Sequence, residues 1–141
     1  MNWSPYLKRD IEIIEKVQIR FTRFFPHLRK LSYRDRLSRL GIQSLQARRL
    51  FHDLTMVYKV VHNLIDTPFH GLFAFRPTIH STRGHPFKLY VPDIKLNCRK
   101  EFFSVRVVSF WNNLPVTIVT QPNIRSFKIL LKEHLFAQSV W

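Results

Sequence analysis

The feature that most constrains the fold is a long helix-compatible run over residues 44–65. Ser44 stands where an N-cap belongs, and no proline follows until Pro68. Apolar side chains recur at three- and four-residue spacing, which predicts one broad buried stripe. The stripe consists of Ala47, Leu50, Leu54, Val57, Tyr58, Val61, Leu64 and Ile65. At 1.5 Å per residue the helix is about 30 Å long. We therefore expect a central helix against which the other segments pack.

Two shorter helices are predicted before the central one. Over residues 8–25 the spacing of apolar side chains predicts a helix that ends at Pro26. Its expected inward side chains are Leu7, Ile11, Ile14, Val17, Phe21 and Phe24 or Phe25. Ser32 is expected to cap a two-turn helix over residues 33–40, with Gly41 just after its C-terminus.

Helical periodicity is lost over residues 67–98, where prolines and glycines recur. Within this stretch, alternation over residues 87–91 predicts a short strand. Beyond it, Ser104 is expected to cap a helix over residues 105–113, and Asn123 a last helix over residues 124–136. The predicted fold class is mainly α: a small bundle of about five helices with a long central loop that carries a short strand or hairpin.

The charge is the most informative property of the composition. The formal net charge is +14, with 13 basic against 5 acidic residues over 1–65 and 10 against 4 over 66–141. The excess is therefore general and does not belong to one arm. A folded domain this basic usually faces phosphate, in nucleic acid or on an anionic membrane. The alternative is a protein that merely carries many Lys and Arg residues.

The candidate binding residues are concentrated around one helix–turn–helix corner. Seven cations fall within the 21 residues from Arg29 to Arg49, and two more lie in the C-terminal half of the preceding helix. A turn in the central loop supplies two others. The predicted nucleic-acid-binding residues are Arg20, Arg23, Arg29, Lys30, Arg34, Arg36, Arg39, Arg48, Arg49, Arg83 and Lys88. The alternatives are a solvated helix face at the corner and a flexible loop around Arg83.

No catalytic residue, metal site or cofactor is predicted. The sequence contains no Gly-rich phosphate loop and no nucleophile motif in a recognisable context. His70, His80, His85 and Cys98 carry atoms that can bind zinc, but their spacing matches no closed four-ligand pattern.

The expected location is intracellular, either nuclear or cytoplasmic. Cys98 is the single cysteine, so an internal disulfide is impossible and a reducing compartment is expected. The N-terminus has no apolar region typical of a signal peptide, which argues against secretion. No apolar run approaches the ~20 residues of a membrane span.

Three blocks of residues together resemble one family. The first is Trp3-x-Pro5, Asp10-Ile11, Ile14-Glu15-x-Val17-Gln18 and Phe21-Thr22-Arg23. The second is Leu31-Ser32-Tyr33-x-x-Arg36-Leu37, Leu40-Gly41-Ile42-x-Ser44-Leu45-x-x-Arg48-Arg49-Leu50, Asp53-Leu54 and Tyr58-Lys59. The third is Arg99, Phe102-Phe103-Ser104-x-Arg106-Val107-Val108, Trp111-Asn112-x-Leu114-Pro115 and Phe127-Lys128. In this order they resemble the region after the palm in non-LTR, LINE-type (jockey-like) retrotransposon reverse transcriptases.

The resemblance implies a division of the chain and a partner. Residues 1–65 would be a thumb-like helical segment, 66–98 a loop or linker with a short strand, and 99–141 a helical segment packing back. The family's metal-binding aspartates lie upstream in the palm, so this chain is not expected to be an enzyme alone. The implied partners are an RNA or DNA template–primer duplex and the rest of a reverse transcriptase. Two alternatives stay open: a helical protein-interaction module, and a decayed reading frame without function.

Overall fold

The computed structural model describes residues 5, 7–77, 84–93, 95 and 102–137. Within these residues it contains seven α-helices and one 3₁₀ turn, and no named strand, which confirms the mainly helical fold class. The elements are α1 (Lys8–Thr22), the 3₁₀ turn (Pro26–Leu28), α2 (Tyr33–Leu40), α3 (Leu45–Val61), α4 (Phe69–Leu72), α5 (Phe103–Asn112), α6 (Val116–Val119) and α7 (Ile124–Ala137). The count exceeds the expected five because α4 and α6 are single turns. None of the described helices is long and apolar enough to cross a membrane.

The central helix is α3, and the predicted cap is confirmed. The Ser44 side chain accepts a hydrogen bond from the Ala47 backbone N–H at 3.2 Å. The helix ends at Val61, four residues earlier than expected. Asn63 adopts a left-handed conformation with φ of 52°, and the Leu64 N–H donates to the Lys59 carbonyl at 2.8 Å. This reversal satisfies a terminal carbonyl and turns the chain away.

The main apolar core lies between α3, α5, α6 and α7. Trp111 is fully buried at its centre, and its indole N–H donates to the Phe87 carbonyl at 2.8 Å. Tyr58 stacks on Phe127 with ring centroids 4.2 Å apart, while its hydroxyl donates to the Gln121 carbonyl. The polar ends of these large side chains are therefore satisfied, so their burial carries no unpaired donor.

The structure contradicts part of the predicted inward face of α1, although Ile11 and Ile14 are half-buried. Val17, Phe21 and Phe24 are exposed, whereas Gln18 and Thr22 are buried. The helix is rotated so that polar side chains face α2 and α3, and the hydrogen bonds that these side chains make provide the reason. The helix also ends at Thr22 and not at residue 25.

The structure confirms α2 at both ends. Ser32 caps its N-terminus by accepting from the Asp35 N–H at 3.2 Å. Gly41 follows its C-terminus with φ of 63°, a conformation that costs glycine little.

The predicted strand over residues 87–91 is reduced to one antiparallel bridge between Phe75 and Leu89. Asn112 in α5 holds Leu89 from the other side, with two 2.8 Å hydrogen bonds to its N–H and its carbonyl. A side chain therefore supplies pairing that a neighbouring strand would otherwise give. The division of the chain at residues 65 and 98 stays a prediction.

The last helices differ from expectation mainly at their starts. Helix α5 begins at Phe103, with Phe102 and not Ser104 at the N-cap position. The single turn α6 follows Pro115 and was not predicted. Asn123 caps α7 as expected, because its side-chain oxygen accepts from the Ser126 N–H at 2.8 Å.

Candidate nucleic-acid interface

Most of the predicted cations lie on the solvent side of one corner of the molecule. Helices α1 and α2 pack on each other, and α1 also packs on α3. The 3₁₀ turn joins α1 to the segment that leads into α2. Seven predicted side chains on these elements are exposed: Arg20, Arg23, Arg29, Lys30, Arg34, Arg39 and Arg48. We call this set the basic corner.

Arg36 does not belong to this surface, and its prediction as a phosphate contact is wrong. Its side chain is only 3% exposed. Its Nε donates to the Thr22 hydroxyl at 3.0 Å and its Nη1 to the Leu31 carbonyl at 2.7 Å. Arg36 therefore ties the end of α1 to the start of α2. Its position in the sequence indicated burial, because Arg36 lies on the same helix face as Tyr33, Leu37 and Leu40.

Arg49 is half-buried and faces a different environment. It lines a cavity of about 100 Å³ together with Asp53 and Arg106. Arg106 forms an ion pair with Asp53, with Nη2 and Oδ2 2.8 Å apart. The structure thus separates Arg49 from the exposed cations of the basic corner.

The structure describes only one of the two loop residues, Arg83 and Lys88, that were predicted to bind nucleic acid. Arg83 lies outside the described residues. Lys88 is half-buried, and its side chain crosses directly over Gly84, whose φ is +129°. A Cβ atom at position 84 would lie 2.5 Å from Lys88 Cε, a contact that the flexible lysine end can relieve, so it is the backbone conformation that favours glycine.

A partly buried polar network joins the helices of the basic corner. The Tyr33 hydroxyl donates to the Glu15 carboxylate, and the same oxygen accepts from the Leu45 N–H at 3.2 Å. Beside it, Gln18 donates to the Gln43 carbonyl at 2.8 Å. Burial, followed by the hydrogen bond to Glu15, raises the pKa of Tyr33. One carboxylate oxygen therefore joins α1, α2 and the start of α3.

The outer face of α1 carries a feature that the sequence analysis missed. An apolar row of Ile13, Val17 and Phe21 is exposed along it, and exposed Phe24 continues the row just after the helix. Lys16, Arg20 and Arg23 form an adjacent exposed row. The spacing of the apolar row indicated that these side chains share one helix face. Spacing alone does not say whether that face is buried against another helix or exposed to solvent.

A second group of cations lies away from this corner. Lys59 and Lys128 line a groove of about 220 Å³ between α3 and α7, together with the His52 side chain. Arg125 and Lys132 are exposed on the same α7 helix. Asp53 also lines the groove, so the groove carries charges of both signs.

Among the described residues, no three His, Cys, Asp or Glu side chains are close enough to share a metal ion. His85 is buried, and its Nε2 lies 3.0 Å from the Trp111 carbonyl. Burial lowers the pKa of His85, and the nearby positive charge of Lys88 lowers it further. His80 and Cys98 lie outside the described residues.

Comparisons with family models, with curated proteins and with solved structures each found no match for the chain.

Proposed function

We propose that this protein binds the sugar–phosphate backbone of nucleic acid, without sequence preference, through the basic corner. The observation that carries the proposal is the exposure of seven cations on one helical corner, in a chain of net charge +14. Guanidinium and ammonium groups neutralise phosphates and release condensed counterions, whatever the base sequence. Such a surface suits a protein that holds a duplex while the duplex moves past.

The hydrogen-bond network between these helices supports the same proposal. Arg36 and the Glu15 carboxylate join α1, α2 and the start of α3 by side-chain hydrogen bonds. Four of the seven exposed cations thus lie on helices of defined orientation, and the other three lie in the connection between α1 and α2. Pre-organised cations lose less conformational freedom on binding than cations on a flexible tail.

The resemblance to LINE-type reverse transcriptases supplies the proposed context. In that context the chain is a thumb-and-following segment that grips a template–primer duplex. Bond formation then belongs to a palm outside this chain. A reading frame for a palm with paired aspartates, encoded directly upstream in the same direction, is the genomic observation expected from this origin.

The direct test measures fluorescence anisotropy of the purified chain with a 20-base-pair RNA–DNA hybrid and with duplex DNA. If six phosphates are neutralised, the plot of log affinity against log salt has a slope of about −5 on duplex DNA. Undetectable binding, or binding that salt does not weaken, contradicts the proposal.

Matched triple variants locate the surface. Arg29, Lys30 and Arg39 in the basic corner are each replaced by Ala, and Arg125, Lys128 and Lys132 on α7 serve as the control. Each set removes three exposed positive charges. The corner variant is expected to lose about 2.7 units of salt slope, or about 0.9 for each phosphate contact. The α7 variant is expected to lose much less, and equal losses would exclude a localised interface.

A further inference from the structure

The apolar row on α1 is too exposed to be part of the core. Phe24 is 81% exposed and Val17 68%, and Ile13 and Phe21 are about half exposed. Ile13, Val17 and Phe21 follow one another at intervals of four residues along α1, and Phe24 continues this row in the turn after the helix ends. The opposite face of α1 is the one that packs on α2 and α3 through Gln18 and Thr22.

The row of cations beside it indicates what this face binds. Lys16, Arg20 and Arg23 repeat at intervals of four and three residues and are exposed. No acidic residue occurs between Lys16 and Arg34 in the chain. Charge complementarity therefore favours a polyanion along the C-terminal half of α1.

The aromatic rings stand at that cationic end of the helix. Phe21 contacts Phe25 edge-on, with ring centroids 5.8 Å apart and planes at 88°, so its orientation is constrained. Phe24 lies three residues after Phe21, in the turn that follows α1, where its N–H donates to the Phe21 carbonyl at 3.0 Å. Exposed ring faces beside phosphate-binding cations are the combination with which proteins bind unpaired bases. Duplex bases already stack on each other and cannot offer their faces in this way.

We propose that the outer face of α1 binds a single-stranded stretch of nucleic acid, with unpaired bases stacking on Phe21 and Phe24 and phosphates contacting Arg20 and Arg23. The inference rests on the proposed function, because it assigns an unpaired segment to one side of the same cationic surface. The proposed function requires only contacts between cations and phosphates. This inference adds stacking contacts between the two phenylalanine rings and unpaired bases.

The test uses three ligands: a 12-nucleotide oligothymidine, an abasic 12-mer with the same phosphates, and a 12-base-pair RNA–DNA hybrid. The wild-type chain is expected to bind oligothymidine more tightly than the abasic strand. The double variant Phe21→Ala and Phe24→Ala is expected to lose about tenfold in oligothymidine affinity for each ring. Its affinity for the abasic strand and the hybrid should stay within twofold.

The control variant removes two other exposed rings, Phe102→Ala with Phe136→Ala, and should leave all three affinities unchanged. Equal wild-type binding of oligothymidine and the abasic strand overturns the inference. If the hybrid still binds with a steep salt dependence, the proposed function survives that result. If no ligand binds with salt dependence, the proposed function itself fails.

Two further measurements test other occupants of the same face. Sedimentation velocity that shows a wild-type dimer, dissociated by the double variant, makes the row a self-association surface and overturns the inference. Binding to phosphatidylserine vesicles that the double variant abolishes, with oligothymidine affinity unchanged, makes it a membrane contact and also overturns it. A monomer whose vesicle binding does not depend on the two rings is the expected result.

Discussion

The two ends of α3 pack in contrasting ways. Along its C-terminal part, Leu54, Val57 and Tyr58 enter an apolar core shared with α5, α6 and α7. At its start, where α1 and α2 pack, buried Leu28 and Leu37 are accompanied by hydrogen bonds from partly buried groups, such as those that reach the Glu15 carboxylate. The C-terminal part is held mainly by burial of apolar area, whereas the start combines apolar burial with directional bonds.

The contrast explains why α1 exposes apolar side chains. Hydrophobic burial is non-directional, so it does not select one rotation of an amphipathic helix when two faces are apolar. The hydrogen bonds of Gln18, Thr22 and Glu15 select one rotation and leave Phe21 and Phe24 outside. A basic surface with exposed rings is the consequence.

The largest expected effect belongs to the apolar core. Trp111→Ala removes a fully buried indole and leaves the Phe87 carbonyl without its donor. We expect a loss of about 3–5 kcal/mol in the free energy of unfolding. Urea denaturation followed by circular dichroism measures this loss. If the Ala variant does not fold, Trp111→Phe replaces it, with a smaller expected loss of about 1–2 kcal/mol. Phe24→Ala is the comparison and should change stability by less than about 0.5 kcal/mol. Similar losses for Trp111→Phe and Phe24→Ala would contradict the assignment of the core.

A smaller effect is expected in the polar region. Arg36→Met removes the guanidinium and leaves the Thr22 hydroxyl and the Leu31 carbonyl without their donor. The expected loss of unfolding free energy is about 2–3 kcal/mol, with the salt slope of nucleic-acid binding unchanged. Arg39→Ala, on the exposed side of the same helix, should do the opposite: little change in stability and a slope reduced by about 0.9. If Arg36→Met behaves like Arg39→Ala, the distinction between structural and binding arginines fails.

The smallest effect is a pH dependence within the core. The pKa of His85 is lowered in the folded state, so the unfolded chain binds the proton more readily. The contribution of His85 to the free energy of unfolding is therefore fully present above the pKa of the unfolded state, about 6.5, and declines as the pH falls below that value. His85→Gln cannot titrate and should show a shallower decline between pH 7 and pH 5 in urea midpoints. Parallel curves for both proteins would show that His85 is not the cause.

The sequence was most informative where structure depends on neighbouring residues. Ser32, Ser44 and Asn123 cap the helices that they were expected to cap, because a cap needs only its own backbone turn. It was least informative about the face of α1 and about Arg36. Both depend on partners 14 or more residues away in the chain, such as Thr22 for Arg36 and Tyr33 for Glu15.

Composition and spacing thus establish a basic, helical chain with a long apolar α3, since charge and periodicity are properties of the residues themselves. Which cations face solvent was decided by tertiary packing. Arg36 and Arg39 lie three residues apart, and one is buried between helices while the other is exposed. The physical reason is that a guanidinium can enter the interior only where oxygens from other segments replace its water, and those oxygens are brought together only by the folded chain.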